Sequence, residues 1–114
     1  MSVSFHGIGQ VCATFLGSGT EGQVVKVSSA STVAPCAAGD DFCGVAVCAK
    51  DGACTVQVAG FVTLPYSGDA APAVGYAMLS ADGEGGVTAA EANAGREFLV
   101  ADVDTAAETV TILL

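Results

Sequence analysis

The stretch ACTVQVAGFVTL, Ala53 to Leu64, decides the fold class. Cys54, Val56, Val58, Val62 and Leu64 alternate with the polar side chains of Thr55, Gln57 and Thr63. Successive side chains of a strand point to opposite faces, so this period of two predicts one apolar and one polar face. Gly60 falls on the apolar face, where a missing side chain marks a bend or a close backbone approach. Just upstream, Asp51-Gly52 separates this run from FCGVAVCA, Phe42 to Ala49. Asp-Gly between two alternating runs predicts a hairpin.

Further strands are expected at Gln10 to Leu16, Gln23 to Ser28, Val74 to Leu79, Glu97 to Asp102 and Thr109 to Leu113. Gly17-Ser18-Gly19, Gly39-Asp40-Asp41 and Asp82-Gly83 separate them with turn chemistry, and Ala70-Ala71-Pro72 reads as a loop lead-in. The chain is apolar through Leu114, so its last segment is expected to pair into a sheet. The pattern predicts an all-β fold, a small single-domain barrel or sandwich with short turns. The one candidate helical turn is TAAEANAG, Thr88 to Gly95, where Thr88 and Glu91 have capping-box spacing and Gly95 could end it. A helix that short has no stability of its own. No internal repeat of useful length is visible. Residues 1–9 read as an N-terminal arm and 10–114 as a single β domain.

The chain has 114 residues, 52% of them apolar, carried by 21 Ala and 16 Val with only five Phe and two Tyr. Small side chains bury little area, at roughly 25 cal/mol per Å², so the core is expected to be thin and helped by association. Three basic against 12 acidic residues give a net charge of −9. Lys26, Lys50 and Arg96 are dispersed, whereas phosphate neutralisation needs clustered cations, and an anionic membrane would repel this chain. Neither nucleic acid nor membrane is an expected partner. No signal peptide is visible and no run approaches the roughly 18 apolar residues of a membrane helix, so synthesis and retention in a reducing cytoplasm are expected.

The five cysteines are Cys12, Cys36, Cys43, Cys48 and Cys54. Their odd number argues against a disulfide framework, and the last four are separated by six, four and five residues rather than as zinc-type close pairs. In Val-rich runs such as FCGVAVCA they read as small buried hydrophobes.

Candidate chemistry is sparse. His6 is the lone imidazole and reads as a surface or interface residue, since catalysis needs a partner group beside it. Asp40-Asp41 and the pair Asp102 and Asp104 are the close carboxylates, a type of pairing used in glycoside hydrolysis and calcium binding. The first pair sits in a turn, where Asp bonds its own backbone, and the second is expected to face solvent. Asp82-Gly-Glu-Gly lacks the alternating ligands of an EF-hand loop. Gly17 to Gly22, GSGTEG, matches the dinucleotide pattern GxGxxG, but that motif works only between a strand and a helix. The strand-like QVVKV follows, so a plain turn is expected. No catalytic residue, metal ligand or cofactor is anticipated.

The order of segments from about Gly17 onward resembles the small capsid decoration, or cement, proteins of tailed phages. A Gly-rich opening precedes GQVVKV, Gly22 to Val27; GVAV follows at Gly44 to Val47; and GFVTLP at Gly60 to Pro65 matches a strand end. VGYAMLSADGEGGVT, Val74 to Thr88, is similar to the family's strand, turn and strand, and Phe98 to Leu114 to its terminal hairpin. This chain departs from the family at FLVADV, in its five cysteines and in its longer leader. The resemblance implies a non-enzymatic virion structural protein, made in the bacterial cytoplasm, that binds the major capsid protein and stabilises the shell. It also implies self-association as a trimer or other small cyclic oligomer. Phe5, His6 and Ile8 in the leader are the candidate partner-contact residues. The alternative is a small β-barrel binding module for a carbohydrate or a host protein.

Overall fold

Asp51 and Gly52 take φ angles of 54° and 81°. Two positive angles in a two-residue loop make a type I′ turn, whose twist suits the strands it joins. The turn closes the expected hairpin between β4 (Gly44–Lys50) and β5 (Ala53–Ala59), with Lys50 opposite Ala53. The computed structural model describes residues 10–68, 71–90 and 95–114. Among them the chain is all-β. The remaining strands are β1 (Val11–Gly17), β2 (Val24–Ser29), β3 (Thr32–Pro35), β6 (Phe61–Ser67), β7 (Gly75–Ala81), β8 (Val87–Ala89), β9 (Arg96–Asp104) and β10 (Thr109–Leu113).

The run Ala53 to Leu64 forms two strands instead of one. Gly60, at φ 96°, breaks it, and a Cβ there would lie 2.9 Å from the Gln10 Cα. The bend expected at Gly60 is present, but its consequence is larger than a kink. Cys54 and Val56 face the core of one barrel, while Leu64 faces the core of another. Gln57, expected on the solvent face, is buried. Its amide donates to the carbonyls of Ala59 and Phe61, both at 3.1 Å, and so ties the chain together on either side of the bend.

The first barrel has the strand order β1-β3-β2-β4-β5 and closes through β1 against β5. The second has the order β6-β8-β7-β9-β10 and closes through β6 against β10. Adding five to each strand number converts one order into the other. In both, the first and third strands pair in parallel and the other neighbours antiparallel.

The registers around β5 and β10 also match. Ala46 pairs with Val56 and Val45 with Gln57 beyond a bulge at Val47; Val100 pairs with Ile112 and Leu99 with Leu113 beyond a bulge at Ala101. Thr14 and Thr55 share a hydroxyl hydrogen bond of 3.3 Å across β1 and β5, and Thr63 and Thr111 share one of 2.9 Å at the equivalent place. The chain is thus a structural repeat, contrary to the expectation of none. Equivalent positions hold different residues (Val45 and Leu99, Cys54 and Val110), because a barrel interior asks for apolar volume rather than identity.

The first core contains Val25, Val33, Ala46, Cys54 and Val56, the thin small-residue core that the composition predicts. The second is larger, with Leu64, Tyr66, Leu79, Phe98, Val100, Val110 and Ile112 among its members. Val24, Phe42 and Val45 of the first half belong to this second cluster. Val24 and Val45 point away from their own barrel, since their neighbours Val25 and Ala46 point in. Phe42, in the loop before β4, stacks on Phe98 with ring centroids 4.8 Å apart and planes at 3°. Backbone bonds reinforce the junction: Gly39 donates to the Ala81 carbonyl and Ala81 to that of Asp40, both at 2.9 Å, and Val24 donates to Gly85 at 3.0 Å.

The expected helical turn does not begin at Thr88. That residue lies in β8, and its hydroxyl donates to the Ser67 carbonyl at 3.0 Å. The Ala90 amide then bonds to the Met78 carbonyl at 2.8 Å, while 91–94 fall outside the described residues. The C-terminal segment pairs as expected, with Leu113 opposite both Leu99 and Phe61.

Candidate interaction surface

The acidic side chains build turns. Asp82 accepts from the Ser67 hydroxyl and the Glu84 amide, both at 2.7 Å, and from the Gly86 amide at 3.1 Å. Asp104 accepts from the amides of Ala106 and Ala107 at 3.0 and 3.1 Å, inside the β9–β10 loop. Asp40 accepts from the Ala37 amide at 2.9 Å and pairs with the Lys26 ammonium at 2.7 Å. The hydrogen bond from Lys26, then that from Ala37, hold the Asp40 carboxyl below its ordinary value; the same bond to Asp40 raises Lys26. Asp102 faces solvent as expected.

The segment Gly17 to Gly22 is a turn between two strands, as the sequence suggested. Three of its amides are committed: Gly17 donates to Gly52, Ser18 to Val33 and Gly22 to Ala46. A Cβ on Gly19 would meet Val25, Ala46 and the Cys54 sulfur, so this loop packs against the first core.

The cysteines divide in a way the sequence did not indicate. Cys54 is buried and Cys36 and Cys43 are half-buried, but Cys12 and Cys48 are exposed. The burial expected for Cys48 fails because the Val47 bulge puts it opposite Thr55, on the outer face of β4. Desolvation raises the Cys36 thiol to about 11, with Asp40 adding to the effect, and raises Cys43 and Cys54 as well. Cys12 and Cys48 lie on strands to either side of β5. Two strand spacings of roughly 4.8 Å keep their Cα atoms beyond disulfide reach. Among the described residues, no group of three or more His, Cys, Asp or Glu is placed to hold a metal ion. Phe5, His6 and Ile8 lie outside the described residues.

The surface feature that stands out is apolar. Tyr76 on β7 pairs with Leu99 on β9, Leu99 with Leu113 on β10, and Leu113 with Phe61 on β6. Paired residues share a face. Their neighbours Val100 and Ile112 point into the barrel, so this row of four crosses its outer wall. Tyr76 is 73% exposed, Leu113 is 38% exposed, and Leu99 and Phe61 are half-buried. Val74, just before β7, extends the exposed apolar surface.

The register match identifies the equivalent row of the first barrel as Val24, Val45, Gln57 and Cys12. There Val24, Val45 and Gln57 are buried, the two valines within the second barrel's cluster. The row is therefore covered at Val24, Val45 and Gln57 in one half of the chain, while Tyr76 and Leu113 at the equivalent places are exposed in the other. Its sequence signal was the loss of alternation in Phe98-Leu99-Val100 and Ile112-Leu113, where consecutive apolar residues supply both faces of a strand. Neither a scan of protein-family models nor a search of curated proteins finds a match to this chain.

Proposed function

We propose that this chain is a structural protein of a phage or prophage particle that binds the assembled major capsid protein and stabilises the shell without catalytic turnover. The observation that carries the reading is the apolar row of Tyr76, Leu99 and Leu113, exposed at Tyr76 and Leu113. Contiguous exposed apolar surface on a soluble fold marks a site that another protein covers. A multi-protein particle supplies such cover, and the resemblance of the segment order to decoration proteins supports a capsid partner. The acidic groups at Asp40, Asp82 and Asp104 serve the turns, which suits a scaffold role. The N-terminal residues Phe5, His6 and Ile8 are assigned to the capsid contact.

Co-sedimentation with cognate empty capsids tests this reading. The full chain is expected to pellet with the shells, and a chain lacking Met1 to Ile8 to pellet less. A full chain that stays in the supernatant overturns the capsid role. Equal pelleting of both chains removes the arm from the contact and leaves the capsid role standing.

A further inference from the structure

We infer that the open row of the second barrel is covered by the first barrel of another copy of this chain, in a head-to-tail contact that repeats the one inside the molecule. Within the chain, the row Val24, Val45 and Gln57 is buried and its two valines pack with the second barrel. The second barrel presents the equivalent row, Tyr76, Leu99 and Leu113, and among the described residues none buries Tyr76, which is 73% exposed. An outer wall that accepts a barrel in one repeat thus has its counterpart vacant in the other.

The reciprocal surface is vacant as well. The second barrel meets the first through the end of β7 and the β7–β8 turn. Ala81 is fully buried there, the Gly85 carbonyl accepts from Val24, and a Cβ on Gly83 would touch Ala38. The matching part of the first barrel is the end of β2 and the β2–β3 turn, because β2 and β3 hold the places in the first strand order that β7 and β8 hold in the second. Val27 is 53% exposed, and the turn from Ser28 to Ser31 is exposed and carries no charge. In a chain of net charge −9, an uncharged edge and an apolar row are surfaces that two copies can bring together with least repulsion.

One element differs. Phe42, which anchors the internal junction, lies three residues before Val45, and the residue three before Leu99 is Arg96. The larger side chains of Tyr76, Leu99 and Leu113, standing where the first barrel has Val24, Val45 and Gln57, take over as anchors. Two different surfaces meeting in this way form a heterologous contact, which closes into a ring when the rotation per copy permits.

The test uses purified protein without capsids, so its failure is distinguishable from failure of the shell-binding reading. Sedimentation velocity at about 100 μM is expected to show the wild type associated, in a range where micromolar contacts are populated. Tyr76→Asp and Val27→Asp, each at an exposed position and each checked for an unchanged circular dichroism spectrum, should separately give monomers. An equimolar mixture of the two variants should give dimers and nothing larger. In that mixture the intact edge of the Tyr76 variant meets the intact row of the Val27 variant, and the remaining surfaces of the pair are blocked. A monomeric wild type, a Val27→Asp protein that remains associated through a symmetric row-to-row contact, or a mixture that stays monomeric would each overturn the inference.

Discussion

Replacing Phe42 with Ala is expected to cost about 3–5 kcal/mol, the range for truncating a buried aromatic. Phe42 is buried between the two halves, and its stacking on Phe98 adds about 0.5–1.5 kcal/mol beyond the area it covers. The Arg96 guanidinium also lies over the Phe98 ring, 4.9 Å from its centroid, so the truncation disturbs a stacked group rather than one contact. Small domains have a total stability of roughly 5–15 kcal/mol, which makes this a large fraction. In urea the wild type should unfold in one transition, because the second cluster includes Val24, Phe42 and Val45 from the first half. The variant should show a lower midpoint and separate transitions for the two barrels. An unchanged midpoint would mean that Phe42 does not couple them.

The second large effect is expected at Gly17, the last residue of β1. It has φ 109°, and an added Cβ would fall 2.0 Å from the Val33 carbonyl oxygen. That carbonyl accepts from Ser18, and the parallel contact of β1 with β3 consists of only two paired positions, Leu16 with Thr32 and Gly17 with Val33. Gly17→Ala should therefore open the first barrel between β1 and β3. Backbone strain of about 1–3 kcal/mol and a similar overpacking term give an expected loss of about 2–6 kcal/mol. Gly22→Ala is the matched control. Gly22 has φ 83° but nothing within 4 Å of its Cβ position, so it reports the conformational term alone. Equal urea midpoints for the two variants would show that the close approach to Val33 contributes nothing.

Local chemistry made much of the fold readable. The Asp51-Gly52 hairpin depends on two neighbouring residues that tolerate positive φ, and alternation located most of the longer strands because each has one face in a core. β3 and β8 went unread because strands of four and three residues are too short to show a period. The run Ala53 to Leu64 keeps one alternating pattern across Gly60, so nothing local reveals that its halves serve different barrels. The repeat was equally hidden, since Val25, Val33, Ala46 and Val56 satisfy one interior and Leu64, Leu79, Val100 and Ile112 the other. The open row escaped notice for a related reason. Whether an outward Leu or Tyr is covered depends on which barrel lies against it, and that is set by contacts distant in sequence.

The central claim is that this protein strengthens an assembled shell, and shell rupture tests it most directly. A ligand that binds only the assembled state stabilises that state by mass action, increasingly so with its concentration. Cognate DNA-filled capsids should be heated with and without saturating protein, and the temperature of DNA release followed with an intercalating dye. The account predicts a release temperature that rises with protein concentration until the sites are filled. An unchanged release temperature on shells shown to carry the bound protein would contradict it.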